Sequence, residues 1–366
     1  MLSDLKIRWW LLPLLGLYVL VFAEVFVRVL HPVLVAPRYV VAADYGVRAN
    51  WPSISYRHFG PEYSVDFEIN SKGVRSPREI EYSKPSSVFR VVALGDSFTM
   101  GYGANYEETF LAAMQRSLAA QMSCRVEVIN LGVSGLGTAE QLLLFRSEAV
   151  KYEPDAVVLQ WHESDLRENV ASGLYGLGGA GLVPKRTKYL PQVATREWLF
   201  SFAVYRFVAD HSMAYTRLRN KVSKYVRKFN FSKNAATVVK RNEAQEAQES
   251  SARPGLLSVA APAPPAGDVA SRLAVAVMKQ LVASVEQEGA QAILLDVPKR
   301  RDRVTFASEM PEQLRSLPSV YSPIDDFRDH RGEMLYWERS AGHFTPLGNR
   351  VVGEGLARRV KPDCGL

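Results

Sequence analysis

The sequence predicts an α/β fold in which a doubly wound parallel sheet lies between two layers of helices. Two observations indicate this three-layer α/β/α architecture. Short runs of apolar and β-branched residues recur along the chain, as is typical of strands buried on both faces. Helical stretches separate these runs, and strands that alternate with helices form parallel units with right-handed crossovers. The 366 residues are enough for one such domain with appendages.

The composition is that of an ordinary globular protein, since 47% of the residues are hydrophobic and 23% are charged. The net charge of +7 is too modest to indicate nucleic-acid binding without a clustered site and a binding motif. The sequence contains no phosphate loop, no dinucleotide-binding fingerprint and no metal-ligand spacing of its cysteines. We therefore expect neither a cofactor nor a metal.

Residues 1–30 predict a cytoplasmic tip followed by a transmembrane anchor. An apolar run extends from Trp9 to Leu30, just long enough to span a bilayer, and Glu24 and Arg28 within it could pair on one helix face. Basic residues before the run place the amino terminus in the cytoplasm and the rest of the chain outside. The alternative is a cleaved secretory signal, which would also put the remaining chain beyond the membrane.

Residues 31–88 predict a connector, because proline recurs too often for long helices. Within it, residues 63–70 alternate like a strand, and residues 70–73 predict a turn. Residues 89–366 contain the predicted catalytic domain, which an insertion interrupts at about residues 173–267.

Five strands and four helices account for the predicted domain. The first strand leads into a glycine-rich turn and then to Glu107 and Glu108, and acidic residues favour the first turn of a helix. Pro298 ends the fourth strand, because proline cannot donate to a ladder. The predicted strands are Phe89–Leu94, Arg125–Asn130, Ala156–Trp161, Ala292–Val297 and Val320–Ile324, and the predicted helices cover about residues 106–121, 138–151, 269–287 and 346–360.

The insertion departs from the α/β pattern. Glycines between residues 173 and 181 predict a loop, and residues 196–229 predict one long helix with an aromatic first half. Basic residues share one face of its second half, namely Arg217, Lys221, Lys224 and Lys228. We interpret this face as solvated; the alternative is contact with anionic lipid headgroups or an acidic glycan. Residues 231–267 predict a disordered linker.

Ser97 is the candidate nucleophile. It lies in the tight turn Gly95-Asp96-Ser97-Phe98-Thr99 that follows the first strand. A side chain at the carboxyl end of a parallel strand can meet a ligand, and Asp96 would support its neighbour. The alternative is that Ser97 merely caps a helix or a turn.

This segment and three later stretches, in the same order, resemble the GDSL, or SGNH, hydrolases over roughly residues 65–360. The resemblance implies an SGNH-like, flavodoxin-like fold and the membrane-anchored, extracytoplasmic subgroup. In the second block, residues 130–138, it places the oxyanion glycine at Gly135. The backbone amides of Ser97 and Gly135 would then be two oxyanion donors. The alternative is that Gly135 serves only the turn.

The third block, residues 162–169, departs from the family pattern. Asp165 and Asn169 fit the anchored subgroup as supporting residues, but Ser164 replaces the asparagine that supplies the third oxyanion donor. The Ser164 hydroxyl has a shorter reach and could donate through a water. Loss of one such donor costs on the order of 3 kcal/mol in the transition state. His162 and Asn169 are alternative donors.

The last block, residues 338–349, places the catalytic base at His343. The aspartate of the family falls on Ser340 or Ala341, and neither is acidic. The imidazole could be oriented by a backbone carbonyl or by a carboxylate from Glu338, Asp325 or Asp326. A structural role for His343 is the alternative. The remaining histidines lack a motif and are interpreted as surface or connector residues: His31, His58, His211 and His330.

The two cysteines, Cys124 and Cys364, precede the second strand and follow the last helix. The first and last helices of a doubly wound sheet usually share a face, so both cysteines should lie near one edge of the domain. In an oxidising compartment they could form a disulfide. A Cα separation well above about 7 Å would contradict this pairing.

Together these features predict a serine esterase or acyl transferase anchored in the inner membrane, with its catalytic domain in the periplasm. We expect it to remove or transfer an O-acyl group, such as acetyl, on an envelope glycan or exopolysaccharide. Its expected partners are an acylated glycan or small ester, membrane lipid around the N-terminal helix, and a membrane partner from envelope biosynthesis, but no nucleic acid. The alternative is an inactive module of the same fold that binds glycan or scaffolds an envelope assembly. Hydrogen-bond contact between Ser97 and His343 would favour the enzyme.

Overall fold

The computed structural model describes residues 11–31, 33, 39–179, 181–190, 198–223, 225–226, 229, 266–340, 342–361 and 363–364. Its first element is helix α1, Leu11–Leu30, which is long and apolar enough to cross a membrane. Nearly all of its side chains are exposed. A transmembrane anchor and a signal sequence both have these properties.

Two antiparallel hairpins follow α1 where a connector was predicted. Strands β1 (Val40–Ala42) and β2 (Arg48–Asn50) form the first, and β3 (Ile54–Phe59) and β4 (Ser64–Ile69) form the second. Every second residue of β4 is buried, as its alternating sequence predicts. The hairpins pack against the domain and contribute side chains to the site described below.

The predicted doubly wound sheet is present. Its strands are β5 (Val88–Leu94), β6 (Arg125–Asn130), β7 (Ala156–Trp161), β10 (Gln291–Asp296) and β13 (Val320–Tyr321). All are parallel, in the spatial order β13-β10-β7-β5-β6. Every residue of β5 and β7 is buried, which explains why both strands are apolar apart from Arg90 and Gln160. The order in which strands are added reverses between β5 and β7, because β6 lies on one side of β5 and β7 on the other. Doubly wound sheets bind ligands at this point.

Helices cover both faces of the sheet and close two apolar cores. One face carries α3 (Phe110–Ala119) and α12 (Pro346–Ala357), and the other carries α4 (Thr138–Ser147), α5 (Ser164–Ser172) and α9 (Ala266–Gln287). A single helix was predicted over residues 106–121, but a 3₁₀ turn at Tyr106–Glu108 precedes α3. The separation has a physical cause, since the Thr109 side chain caps α3 by accepting from the Ala112 amide.

Shorter elements complete the domain. The nucleophile turn opens into α2 (Ser97–Met100), and β8 (Tyr175–Gly178) pairs with β9 (Gly181–Pro184). Strands β11 (Lys299–Arg300) and β12 (Phe306–Ala307) form a further hairpin, and α10 (Glu312–Arg315) and α11 (Ile324–Arg328) flank β13.

The long helix predicted over residues 196–229 is wrong. Helical residues 198–200 (α6), helix α7 (Ala203–His211) and helix α8 (residues 213–223) replace it. Ser212 has an extended backbone that ends α7, and its hydroxyl accepts from the Tyr215 amide at 3.0 Å, so it caps α8. The linker predicted over residues 231–267 lies outside the described residues up to residue 265, and α9 already begins at Ala266.

Cys124 and Cys364 are joined in a disulfide, with their Cα atoms 5.8 Å apart. The bond links the start of β6 to the end of the chain, beyond α12. Because α3 and α12 pack on the same face of the sheet, the two cysteines lie at the same edge of the domain.

Candidate active site

The turn that carries Ser97 is fixed by the neighbouring strand β7. A Cβ atom at Gly95 would lie 2.4 Å from Gln160 Oε1, so this position requires glycine. Gln160 Oε1 accepts from the Asp96 amide at 2.8 Å and from the Thr99 hydroxyl at 3.1 Å. Asp96 then caps α2 by accepting from the Phe98 amide at 2.8 Å. Ser97 therefore stands at the carboxyl end of β5, in the first turn of α2, whose amides have no intrahelical acceptor.

Ser97 and His343 lie within hydrogen-bond distance, with Ser97 Oγ 2.8 Å from His343 Nε2. They are 246 residues apart in sequence, and α12 follows directly after the loop that carries the histidine. The ring of Phe98 packs against the imidazole at a centroid distance of 4.9 Å, and the ring of Tyr102 at 5.4 Å. The imidazole is buried and in position to accept the Ser97 proton.

The partner of the other imidazole nitrogen is a backbone carbonyl. His343 Nδ1 lies 3.3 Å from the Ser340 carbonyl oxygen, and Ala341 lies outside the described residues. The carboxylates that were considered for this role have other partners: Glu338 pairs with Arg303, Asp325 with Arg328, and Asp326 with Tyr321 and Arg358. The Ser340 carbonyl can hold Nδ1 protonated, which leaves Nε2 free to act as the acceptor.

A residue of the second hairpin holds the loop that carries this carbonyl. Glu62 accepts from the amides of Glu338 and Arg339 at 3.2 and 2.7 Å, and from the Ser340 hydroxyl at 2.9 Å. Partial burial raises the pKa of Glu62, but these hydrogen bonds lower it more, so the net pKa lies below its usual value. Glu62 therefore stays ionised at neutral pH and orders the loop through three bonds.

Burial also sets the proton affinity of the base. Desolvation lowers the pKa of His343 below its usual value of 6.5. The hydrogen bond with Ser340 and the charge of Asp96 act in the opposite direction, and they offset only part of this effect. His343 is accordingly neutral at pH 7, which is the form that can take a proton from a hydroxyl.

The glycine of the second block lies in a turn that a half-buried arginine holds in place. Gly135 has a φ of 73°, which favours glycine. Arg48 of β2 donates to the carbonyls of Ser134 and Gly135 and forms an ion pair with Glu140 at 2.8 Å. Glu140 in turn accepts from the Gly137 amide at 3.1 Å. The turn that bears the second candidate oxyanion donor is thus held from both ends.

The polar residues of the third block mainly support this turn. Asp165 accepts from the Thr138 amide at 2.7 Å, and Asn169 accepts from the Ala139 amide at 2.8 Å. Both therefore bind the first turn of α4. Burial raises the pKa of Asp165 well above its usual value. Ser164 lies at the cavity with its hydroxyl 3.0 Å from His162 Nδ1.

A cavity of about 620 Å³ opens over Ser97 and His343. It is bordered by loops at the carboxyl ends of four parallel strands. Its lining is mostly polar or charged: Arg48, Asp96, Ser97, Phe98, Ser134, Gly135, His162, Glu163, Ser164, Glu168, Pro298, Lys299, Arg300, Tyr336, Glu338, Gly342 and His343. Glu163 and Lys299 pair across the rim at 2.6 Å. Burial raises the pKa of Glu168 to about 7, so this carboxyl can donate as well as accept near neutral pH.

Three residues near the site were not found from the sequence. Arg48 and Glu62 lie in the predicted connector and carry no motif. His58 was interpreted as a surface or connector residue; it lies in the predicted connector but not at the surface, since its side chain is 2% exposed and packs against the rings of Phe67 and Tyr102. Burial lowers the pKa of His58 to about 4. The only local signal is the alternation of strand β4, which indicates that the hairpin has a buried face.

Comparison with known proteins identifies the segment around the nucleophile. Residues 93–161 match the model of the GDSL-like Lipase/Acylhydrolase family. No curated protein matches the chain.

Solved structures that resemble the chain have low identities and low TM-scores. A lipase from a goat rumen metagenome is 14% identical, covers 74% of this chain and 97% of its own, and has a TM-score of 0.35. An acetyl xylan esterase is 15% identical, with 75% and 100% covered and a TM-score of 0.35. A lipase/acylhydrolase from Enterococcus faecalis is 15% identical, with 75% and 98% covered and a TM-score of 0.29.

The family match includes the last two residues of β5, the turn with Ser97, strand β6 and the turn with Gly135. It ends at the last residue of β7, before His162 and well before His343. The resemblance predicted from the sequence is therefore confirmed over this segment, since the residues that carry Ser97 and Gly135 match the family model.

Proposed function

We propose that the protein is a membrane-anchored serine esterase or acyl transferase that acts on O-acylated glycans outside the cytoplasmic membrane. The observation that carries this proposal is the 2.8 Å contact between Ser97 Oγ and His343 Nε2 at the floor of a polar cavity. An inactive binding module of the same fold has no need of this contact. Its presence therefore favours an enzyme over the binding module.

The geometry supports a two-step acyl transfer. His343 Nε2 takes the Ser97 proton while Ser97 Oγ attacks the ester carbonyl carbon, and the amides of Ser97 and Gly135 stabilise the oxyanion. The Ser340 carbonyl accepts from Nδ1 of the resulting imidazolium. When the intermediate collapses, the sugar oxygen leaves with the proton from His343 and the acyl group stays on Ser97. Water or a second hydroxyl then attacks, gives its proton to His343, and Ser97 leaves with that proton.

The lining of the cavity supports a polar acyl ester rather than a long-chain lipid. Its charged and hydroxyl side chains can bind sugar hydroxyl groups, whereas a fatty acyl chain would need an apolar tunnel. Arg48, Glu163 and Glu168 supply donors and acceptors to the cavity, and Arg48 lies next to Gly135.

The test is covalent labelling of the full-length protein with a fluorophosphonate probe, which reacts with activated serines. We expect labelling of the wild type and none of Ser97→Ala, and a loss of at least about 100-fold in His343→Ala, since a general base contributes 10²–10⁴-fold. Ser71→Ala and His330→Ala are the matched controls, because both residues lie outside the cavity. Folded wild-type protein that remains unlabelled would refute an activated serine.

A second assay then addresses the substrate. Acetate release from an acetylated oligosaccharide should exceed hydrolysis of a long-chain acyl ester by the same preparation. Adding an unacetylated oligosaccharide as acceptor separates the two reactions, because a transferase produces acetylated acceptor and an esterase produces acetate alone. A preference for the long-chain ester would contradict the glycan assignment.

A further inference from the structure

Helices α7 and α8 expose apolar side chains that no described part of the chain covers. In α7, the side chains of Val204 and Phe207 are 78% and 66% exposed, and in α8 that of Leu218 is 62% exposed. Such residues normally lie in cores, and a contiguous exposed apolar patch indicates a binding surface. Further exposed apolar residues of the same segment are Trp198, Phe202, Val208, Val222, Tyr225, Val226 and Phe229.

The residues of α8 are arranged on three faces. Leu218 and Val222, four residues apart, share an exposed apolar face. Arg217 and Lys221 share a second face, about 100° away because each residue turns a helix by that angle. Thr216 lies on the third face, which is buried. An apolar face beside a basic face is the pattern of a helix that lies in a membrane interface.

This helix pair is bonded directly to α1. Glu24 accepts from the Ser212 hydroxyl at 2.7 Å and from the amides of Met213 and Ala214 at 3.0 and 3.1 Å, so it caps the start of α8. Arg28 pairs with Glu24 at 2.7 Å and also donates to the carbonyl of His211 at 2.6 Å. These contacts explain why an apolar helix contains an acidic and a basic residue.

The contacts also determine how deep in the bilayer the helix pair would lie. Glu24 lies six residues before the end of α1 at Leu30, which corresponds to about 9 Å along the helix. Amphipathic helices that rest in a bilayer interface bury their apolar face by about 5–10 Å. If α1 spans the bilayer, α7 and α8 meet it at that depth, next to the outer surface.

We propose that α7 and α8 form an interfacial helix pair that rests in the outer leaflet beside α1. Their exposed apolar side chains contact acyl chains, and Arg217 and Lys221 reach anionic headgroups. The occupant is lipid because the helix pair is hydrogen-bonded to α1, whose own exposed side chains would face lipid in a membrane. This inference rests on the proposed anchoring of α1, and it does not depend on the chemistry at Ser97.

The experiment places an environment-sensitive fluorophore at single cysteines of the full-length protein, reconstituted in vesicles of phosphatidylcholine and phosphatidylglycerol. Phe207→Cys and Leu218→Cys report on the helix pair, and Glu81→Cys, at a site 76% exposed on the domain, is the control. The native cysteines are in a disulfide and do not react. We expect blue-shifted emission and strong quenching by spin-labelled lipid at residues 207 and 218, and neither at residue 81.

Quenching by aqueous iodide at residues 207 and 218 that equals quenching at residue 81 would overturn the proposal. Blue-shifted emission without lipid quenching would also overturn it, because the surface would then be covered by protein, such as a second copy. An Arg217→Gln/Lys221→Gln variant should lose the dependence of lipid quenching on phosphatidylglycerol if the basic face binds anionic headgroups. Repeating the measurement in Ser97→Ala separates the two proposals, since lipid quenching should be unchanged while probe labelling is lost.

Discussion

At the level of single residues, the candidate site differs from a triad in the group that holds its histidine. His343 Nδ1 faces the Ser340 carbonyl instead of a carboxylate. A carbonyl fixes the tautomer, as an acid would, but it carries only a partial charge and stabilises an imidazolium less. The base is therefore correctly oriented but weakly supported once it is protonated.

The buried position of His343 predicts how reactivity depends on pH. Because desolvation lowers the pKa of His343 below 6.5, the neutral form persists to lower pH than for an exposed histidine. Labelling of Ser97 should therefore rise with pH through a midpoint below 6.5 and then stay constant. The measurement is the rate of fluorophosphonate labelling as a function of pH. A midpoint at or above 6.5 would contradict this assignment.

An Asp96→Asn variant tests whether His343 is the group that determines this pH dependence. The charge of Asp96 raises the pKa of His343, so its removal should shift the midpoint to still lower pH. Asparagine keeps an oxygen that can accept from the Phe98 amide, which preserves the cap of α2. A midpoint that does not move would show that a group other than His343 controls the profile.

The residues that the sequence could identify are those marked by a local motif. Ser97, Gly135 and His343 each stand in a short block whose spacing indicates a turn, and the structure brings the first and last together. Arg48 and Glu62 lie in no such block, because the residues with which they form hydrogen bonds are 87 and 277 positions away in sequence. Contacts at that separation depend on the completed fold, so no periodicity in the chain reveals them.

At the level of elements, the second hairpin holds in place the loop that carries His343. Glu62 lies between β3 and β4 and accepts three hydrogen bonds from residues 338–340. The hairpin itself is fixed by Arg75, a buried guanidinium that donates to the carbonyls of Gly101 and Ala104 and stacks on Phe67. The hairpin is thus connected both to the loop that carries His343 and, through Arg75, to the segment that follows Ser97.

This arrangement predicts that Glu62 is a positioning residue. Glu62→Ala removes the three acceptors, so the loop and the Ser340 carbonyl should lose their fixed place. We expect kcat on a small ester to fall by about 10- to 100-fold, the cost of a small misplacement, with little change in KM. Glu62→Gln keeps one acceptor oxygen and should recover part of the loss.

The matched control is Glu68→Gln, an exposed acid on the same hairpin. It should retain wild-type kcat. Thermal unfolding of all three variants separates positioning from a general loss of folding. If Glu62→Ala loses stability and activity together, or raises KM alone, the positioning role is refuted.

Helices and strands were predictable where their residues follow a single hydrophobic pattern. The buried strands β5 and β7 are apolar apart from Arg90 and Gln160, and their bounds were predicted to within a residue. The break between α7 and α8 was not predicted, because helical spacing continues through Ser212. At Ser212 the backbone is extended, and the hydroxyl that caps α8 also donates to Glu24, 188 residues earlier. The bond to Glu24 depends on the completed fold, so helical spacing could not indicate it.

At the level of the whole molecule, the site is assembled from distant parts of one chain. The hairpins supply Arg48 and Glu62, the sheet supplies Ser97 and Gly135, and the last loop supplies His343. The Cys124–Cys364 disulfide then ties the end of α12 to the start of β6. Because α12 begins directly after the loop of His343, the bond limits how far that loop can move from the sheet.

Loss of the disulfide should therefore lower stability. A bond that closes a loop across a sequence separation of 240 residues restricts the unfolded chain strongly, and such bonds contribute about 2 to 5 kcal/mol. We expect the free energy of unfolding of a Cys124→Ser/Cys364→Ser variant to fall by that amount, with probe labelling retained at low temperature. The measurement is urea unfolding with and without reductant. Equal midpoints for the oxidised wild type and the variant would contradict it.

The same bond makes a covalent ring of the chain between residues 124 and 364, with His343 inside the ring and Ser97 on the tail before it. A protease that cuts the ring once opens it without dividing the molecule. The fragment with His343 stays tied to the strand beside the one that leads to Ser97, and only reduction would release it. Because Cys124 and Cys364 are joined, a single proteolytic cut between them leaves the two fragments covalently linked.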